Sequence, residues 1–454
     1  MGEELKSRKA YKPTRIIAGS FLMVILLGAL LLTLPISSRD GQSAGFLGAL
    51  FTATSATCVT GLIVFDTYTQ FTPFGQAVIL MLIQIGGLGL VTLTTFFNVL
   101  IGRRLGFRSL QLASESISVS DKGQARTLLH TVIRVAITCE LLGMLLLLPA
   151  MIPKFGVYTG TMVSIFLSVS AFCNAGFDIM GRIAPYTSLT TCFDEPYVLA
   201  VIAALIICGG LGFLVWQDVA AFHKTKHLRV HTRLVLIFTA ALLIFGTVSF
   251  AVCEWNNPAT LGNMNVLDKI SNSAFQSATL RTAGFNSVDL AACQPVTKIM
   301  MILLMFIGAA PGGTGGGIKV TTFAVLFMVV ASVVRGREDA AIFKHKIPKQ
   351  VVYKALALSI LSLIAVVIST LTINVFTSSD VNIMDSMFEA VSAFATVGLS
   401  VGATAVMKPI ALCVTMATML IGRVGPVTMA FSFSLNRDHN DGRAVMPKAN
   451  ISVG

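Results

Sequence analysis

The chain has 454 residues, of which 55% are hydrophobic and 12% charged, and its mean hydropathy is +0.82. Those values exclude an ordinary water-soluble domain set and indicate a membrane protein, whose apolar runs of about 20 residues cross the hydrocarbon core. The formal charge of +12 could suit nucleic acid, but Arg and Lys gather between apolar runs at Lys6 to Arg15, Arg103 to Arg134, Lys224 to Arg233, Arg335 to Lys354 and Arg437 to Lys448.

By the positive-inside rule those five stretches, and with them both termini, face the cytoplasm. The other connections carry acid (Asp40, Asp66, Asp178, Asp194, Glu195, Asp268, Asp289, Asp380 and Asp385) and face outward. The reading is a multi-pass protein of the plasma membrane, partnered by the lipid bilayer and not by nucleic acid. The first apolar run, Ile16 to Leu34, is long enough to stay in the bilayer, and no small-residue cleavage site follows it.

In chain order, residues 1–15 form a basic cytoplasmic arm. Ile16 to Ile36 is a first span. Ala44 to Thr57 is apolar but too short to cross, which suggests a re-entrant half-helix. Pro73 to Ile101 crosses back. The order span, half-helix, loop, span then repeats three times. Leu128 to Ile152 crosses, Thr161 to Phe172 re-enters and Tyr197 to Phe222 returns. Leu234 to Cys253, Leu267 to Leu280 and Val296 to Val334 come next in the same order, then Val352 to Phe376, Ile383 to Ala395 and Met407 to Phe433. The expected fold is all-α, with about eight spans and four half-helices. Its units are 16–104, 105–233 with a cytoplasmic linker, 234–335 with a broken inner helix, and 336–435, before a cytoplasmic tail at 436–454. Each unit crosses an even number of times, so like-oriented repeats can surround one axis as a pseudo-fourfold pore.

A motif marks the end of every half-helix: Ser-Ala, a short run, then Gly and a large apolar residue. The glycines are Gly61, Gly176, Gly284 and Gly398, at spacings of 115, 108 and 114 residues. Self-similarity at a near-constant period is the signature of a repeat architecture. The residues at the loops are Cys58, Val59, Thr60 and Gly61; Cys173, Asn174, Ala175 and Gly176; Arg281, Thr282, Ala283 and Gly284; and Ala395, Thr396, Val397 and Gly398. A dehydrated alkali cation needs oxygens to replace its hydration shell, and backbone carbonyls supply them. Glycine reaches the backbone angles that turn carbonyls toward an axis. The simpler reading of one such glycine is helix packing, but four in register after short apolar segments read as a selectivity filter. The returning spans carry a second set at Gly86, Gly209, Gly308 and Gly422, read as packing and pore lining together.

These loops, above all Arg281-Thr282-Ala283-Gly284-Phe285 and Asn174-Ala175-Gly176-Phe177, resemble the Trk/Ktr/HKT potassium transporter superfamily. Leu34-Pro35, Gln84 to Gly89, Gly316-Gly317-Ile318-Lys319 and Ile421 to Pro426 extend the likeness to its Ktr-type membrane subunit over nearly the whole chain. The resemblance implies potassium uptake as a homodimer, gated by a cytoplasmic nucleotide-binding ring. No nucleotide fold occurs in this chain, so the nucleotide belongs to that partner. Potassium is the implied ion, held at the filter residues alone, with sodium coupling left open. Glycine in all four loops matches the members that prefer potassium.

Gly308 to Lys319 includes Pro311, Gly312, Gly313, Gly315, Gly316 and Gly317, and no helix runs through it unbroken. A phosphate-binding loop needs Lys directly after its last Gly, and here Ile318 intervenes. The stretch reads instead as a flexible flap beneath the filter, at the position of the family's intramembrane gate, with Lys319 as its anchor. Arg423 is an intramembrane charge and a functional candidate. Read as more than ten residues from the end of its helix, it is expected to face the pore and bond the flap's carbonyls. Glu140 is the other intramembrane charge, expected to make an interhelical hydrogen bond, with ion coupling as the alternative. His223, His227 and His231 read as a solvated cytoplasmic face, with metal binding as the minor option, and the eight scattered cysteines as apolar filler rather than a metal site, with a Cys192–Cys293 bridge left open. No His-Glu-x-x-His, Gly-x-Ser-x-Gly or paired intramembrane Asp appears, so an intramembrane enzyme is set aside. A potassium symporter obligately coupled to protons or sodium remains the alternative function.

Overall fold

The computed structural model describes residues 13–89, 122–337, 339–378, 381–426 and 428–429. Most of the basic arm, the basic stretch at 103–121, the far end of the first returning span and the 436–454 tail lie outside the described residues.

The described chain is helical. The first quarter holds α1 (Pro13–Thr33), α2 (Phe46–Cys58), the short α3 (Thr67–Gln70) and α4 (Pro73–Leu88). The second holds α5 (Lys122–Phe155), α6 (Val157–Phe172), α7 (Pro196–Gly210) and α8 (Phe213–Thr225). In the third are α9 (Val230–Glu254), α10 (Val266–Thr279), α11 (Pro295–Phe306) and α12 (Val320–Val334). The fourth has α13 (Lys349–Val375), α14 (Ile383–Ala395) and α15 (Pro409–Val424). Each of α4, α7, α11 and α15 starts on a proline, whose fixed φ and missing N–H suit a helix's first turn. Asn265 and Asn382 cap α10 and α14 by accepting from Asp268 N and Asp385 N at 2.9 and 2.8 Å.

Four helices, α1, α5, α9 and α13, are long and apolar enough to cross a membrane, and a fifth span results if α7 and α8 count as one. Their outward faces are apolar: Leu22, Leu26 and Leu30 on α1, Leu141 and Leu145 on α5, and Leu363 and Val367 on α13 are exposed. The interior is where the polar side chains sit, with Ser55, Asn174, Gln276 and Glu389 fully buried. Without water in a bilayer core, polar groups gain only by turning inward.

Each half-helix packs against the long helix that precedes it, α1 on α2, α5 on α6, α9 on α10 and α13 on α14. Each also packs against the returning helix of the quarter before it: α6 on α4, α10 on α7, α14 on α11, and α2 on α15. The last contact joins the two ends of the chain and closes the four quarters into a ring.

The returning segments depart from the continuous spans expected. α7 and α8 meet at 94°, and Gly212 between them has φ +87°. α4 stops at Gly89 (φ +81°) and α15 at Gly425 (φ +96°). These glycines stand three residues beyond Gly86, Gly209 and Gly422, so a Gly-x-x-Gly spacing, masked by the apolar runs around it, marks three breaks. The third returning segment breaks after α11, at the Gly308–Lys319 loop. On the far side of α12 a short hairpin pairs β1 (Ala341–Ile342) with β2 (His345–Lys346), and its turn residues Phe343 and Lys344 are both left-handed.

Candidate functional site

The four motif glycines come together. A Cβ built on Gly61 would stand 2.6 Å from Ala175 O, and one on Gly176 would stand 2.6 Å from Ala283 O. On Gly284 it would stand 2.5 Å from Val397 O, and on Gly398 it would overlap Thr60 O. Each quarter thus abuts a carbonyl of the next, in cyclic order. All four glycines have positive φ, between +69° and +94°, and so do the residues two before them, Val59, Asn174, Thr282 and Thr396. A left-handed, normal, left-handed succession turns the peptide planes after each half-helix, and a side chain at the glycine is barred by strain and by collision alike. The next residues, Leu62, Phe177, Phe285 and Leu399, are buried and moor each loop in the core.

The shared Ser-Ala does not act identically in every quarter. Ser55 Oγ and Ser392 Oγ accept from Gly61 N and Gly398 N at 3.1 and 3.0 Å. Ser277 Oγ instead donates to Leu243 O at 2.7 Å, and Ser170 Oγ has no partner among the described residues. Asn174 Nδ2 donates to Arg281 O and Thr282 Oγ1 at 3.2 and 3.3 Å, tying the second loop to the third. Arg281, expected at the ion site, turns its guanidinium away toward Gly308 O (3.5 Å), and its carbonyl is engaged by Asn174. Cys58 and Ala395 close α2 and α14, and Cys173 caps α6.

Gly86, Gly209 and Gly422 do one job: a Cβ on each would overlap Thr57 O, Phe172 O and Phe394 O, the carbonyls four residues before the ring glycines. Gly308, placed with them by sequence, instead faces Gly316 O of its own loop. The reason is local: Gly308 N donates to Ile318 O at 2.8 Å and folds the loop back on its root.

That loop lies between the ring and the break in α7–α8. Ala310 N and Thr314 N donate to Gly210 O and Gly209 O at 3.0 and 3.2 Å, and Phe213 N donates to Gly312 O at 3.0 Å. Thr314 Oγ1 donates to Phe172 O at 3.2 Å, Gly316 N donates to Thr396 Oγ1 at 3.0 Å, and Lys319 Nζ holds Gly315 O at 2.7 Å. Pro311 O faces Gly212, where a Cβ would stand 2.6 Å away, and Gly313 and Gly317 pack on Gly209 O and Ala395. Arg423 donates to Thr314 O and to Gly86 O, and at 3.2 Å to Gly87 O. Arg423 sits in the last turn of α15, which stops at Gly425; the helix end expected more than ten residues further on lies outside the described residues.

Two cavities flank the ring. The outer one, about 290 Å³, is lined by all four ring glycines and by Asp66, Asp178 and Asp289. Burial raises the Asp178 carboxyl to about 6; the Met180 N–H opposes the shift and the neighbouring Asp66 charge adds to it. The inner cavity, about 260 Å³, is lined by Lys319, Arg423 and glycine backbone, with no carboxylate among the described residues.

Sequence reading missed Glu254 and Glu389, both fully buried. Glu389, on α14, accepts from Ser400 Oγ, Val401 N and Thr404 Oγ1 at 2.5, 3.1 and 2.6 Å and braces the chain beyond Gly398. Glu254 accepts from Asn257 Nδ2, Thr260 Oγ1 and Gln294 N at 2.6, 2.7 and 2.9 Å. An acid inside the short apolar segment 383–395 was the available signal for the first. His231, expected on a solvated face, is half-buried with Nε2 unpartnered among the described residues, and no metal-holding cluster occurs among them. Cys192 and Cys293 are separate buried thiols.

An apolar exterior, a polar interior and a closed ring of loop backbones define a helical membrane transporter. A family described as TrkH, cation transport protein, matches residues 3–442, and the chain belongs to that family, whose members move ions rather than catalyse reactions. The chain is 38% identical over 430 residues to Ktr system potassium uptake protein B of Bacillus subtilis (strain 168), covering 95% of each. It is 36% identical over 449 residues to the potassium/sodium uptake protein NtpJ of Enterococcus hirae, covering 98% of each. Its fold matches the potassium transporter TrkH from Vibrio parahaemolyticus with a TM-score of 0.71 at 16% identity, over 95% of this chain and 87% of that one.

Proposed function

We propose that the chain is the potassium-conducting membrane subunit of an uptake system in the plasma membrane. Its four units (16–104, 105–233, 234–335 and 336–435) supply eight spans around one pseudo-fourfold pore, with both termini cytoplasmic. Carbonyls of Val59 to Gly61, Asn174 to Gly176, Thr282 to Gly284 and Thr396 to Gly398 replace water around a potassium ion. The single observation that carries this reading is the cyclic approach of Gly61, Gly176, Gly284 and Gly398, each with a left-handed residue two places before it. The buried hydroxyls of Thr57 and Thr60, without a partner among the described residues, support it, since they leave oxygens free in the first loop.

The Gly308–Lys319 loop and Arg423 form the gate. In the arrangement described they line the inner side of the ring with backbone, the Lys319 amine and the Arg423 guanidinium, whose charge repels a second cation. A cytoplasmic nucleotide-binding partner moves the loop, and two copies of the chain assemble; the relative named as part of a Ktr system supports a multicomponent reading. A second reading, obligate coupling to sodium, draws on the relative named for potassium and sodium together. In liposomes it would shift the reversal potential with the sodium gradient.

The filter assignment is tested by Gly61→Ser. A Cβ there meets Ala175 O at 2.6 Å and forces the first two loops apart. The expected result is a sodium-to-potassium permeability ratio raised about tenfold, the equivalent of about 1.4 kcal/mol of lost discrimination. Rubidium and sodium flux into proteoliposomes reads it, and an unchanged ratio refutes the assignment.

A further inference from the structure

Glu140 lies within α5, where a carboxylate is expensive and its retention needs a reason. Gln84 Nε2, on α4, donates to both of its oxygens at 2.9 and 3.2 Å. The other end of the same amide, Gln84 Oε1, receives the Cys173 thiol at 3.5 Å. Through its main chain Glu140 also holds the second half-helix, for Ser168 Oγ donates to Glu140 O at 2.6 Å. Cys173 is the first residue after α6, two before Ala175, whose carbonyl faces Gly61 across the ring. Glu140 lines neither cavity. Its place behind the ring leaves it a positioning task and removes it from the ion path.

We infer that Glu140, acting through Gln84 and the Cys173 thiol, is a specificity-determining positioning residue for the second loop of the ring. Both Glu140 oxygens accept from Gln84 Nε2, and neither donates to Gln84. Gln84 must therefore turn its NH₂ to Glu140, which leaves its oxygen for the thiol. An ordinary interhelical bond could be made equally by an amide pair. An amide at 140, however, both donates and accepts, so Gln84 would be satisfied in either orientation and Cys173 would lose its nearer acceptor, keeping only the more distant oxygen at 140, which stands 4.0 Å from the sulfur. Binding geometry holds only when the supporting groups are themselves locked. The inference rests on the reading of the ring as a filter.

The test measures sodium-to-potassium permeability ratios in proteoliposomes for Glu140→Gln, Cys173→Ala and the two together, with Gly61→Ser alongside. Glu140→Gln is expected to raise the ratio about fivefold, and Cys173→Ala to do the same with no further rise in the double variant, since both break one path. The double variant Glu140→Leu/Gln84→Leu removes both polar groups without orphaning either, so it covers the case in which Glu140→Gln does not assemble; it too should raise the ratio. A response to Gly61→Ser with none to Glu140→Gln or the Leu pair overturns this inference alone. Additive effects of Glu140→Gln and Cys173→Ala overturn the route through the thiol. No response to Gly61→Ser overturns the filter reading and this inference with it.

Discussion

Arg423 joins pieces of chain that are far apart in sequence: Thr314 is 109 residues away and Gly86 is 337. Its guanidinium presents donors in a rigid fork, so one side chain bonds the glycine-rich loop and the end of α4 together. Arg423→Ala removes those bonds and the guanidinium charge from the inner cavity. If the loop is the proposed gate, basal rubidium flux without the proposed regulatory partner should rise by roughly tenfold, as expected for loss of hydrogen bonds to a charged group. Flux still at the wild-type level, and still dependent on the partner, would show that Arg423 does not hold the gate. A charge inside an apolar run made Arg423 visible in the sequence. Its bonding partners were not visible, because they are carbonyls, and every residue has one.

Glycine divides sharply by position among the helices. Gly86 on α4 and Gly422 on α15 have no room for a methyl group, because Thr57 O and Phe394 O occupy it. Gly19 on α1 has nothing within 4 Å of a built Cβ. Gly86→Ala should therefore cost about 1–3 kcal/mol by overpacking and lower the midpoint of thermal unfolding in detergent. Gly19→Ala should be neutral or stabilising by up to about 1 kcal/mol, since alanine is the better helix former. Equal midpoints for the two variants would mean that helix propensity, not the close approach, governs these sites. Half-helix and long-helix boundaries were legible to within a few residues from apolar run length. The breaks at Gly89, Gly212 and Gly425 were not, because hydropathy stays high through them and masks the Gly-x-x-Gly spacing that their positive φ makes plain.

Across the whole molecule, the outer cavity gathers carboxylates from three quarters above the ring, so its charge belongs to the assembly rather than to any one loop. Asp178 is charged above about 6 and neutral below it. On the proposed reading, in which this cavity faces outward and the ring takes a cation, the negative field above the ring is full near neutrality and weakens as external pH falls through that value. Potassium uptake should drop when external pH is lowered from about 7.5 to about 5.5, and Asp178→Asn should flatten the profile. A profile that Asp178→Asn leaves in place would assign the titration to another group.

Hydropathy, the basic clusters and the four Ser-Ala…Gly motifs were enough to establish a helical membrane protein of four related quarters, because run length and chemical periodicity are properties of the chain itself. The tertiary structure decided what each repeated residue does. Ser55 and Ser392 hold ring glycines while Ser277 does not, Gly308 serves its own loop, and Glu389 braces the segment beyond Gly398. Those assignments depend on which backbone atoms arrive from other quarters, and cyclic closure, α2 against α15, brings together atoms that no local pattern connects.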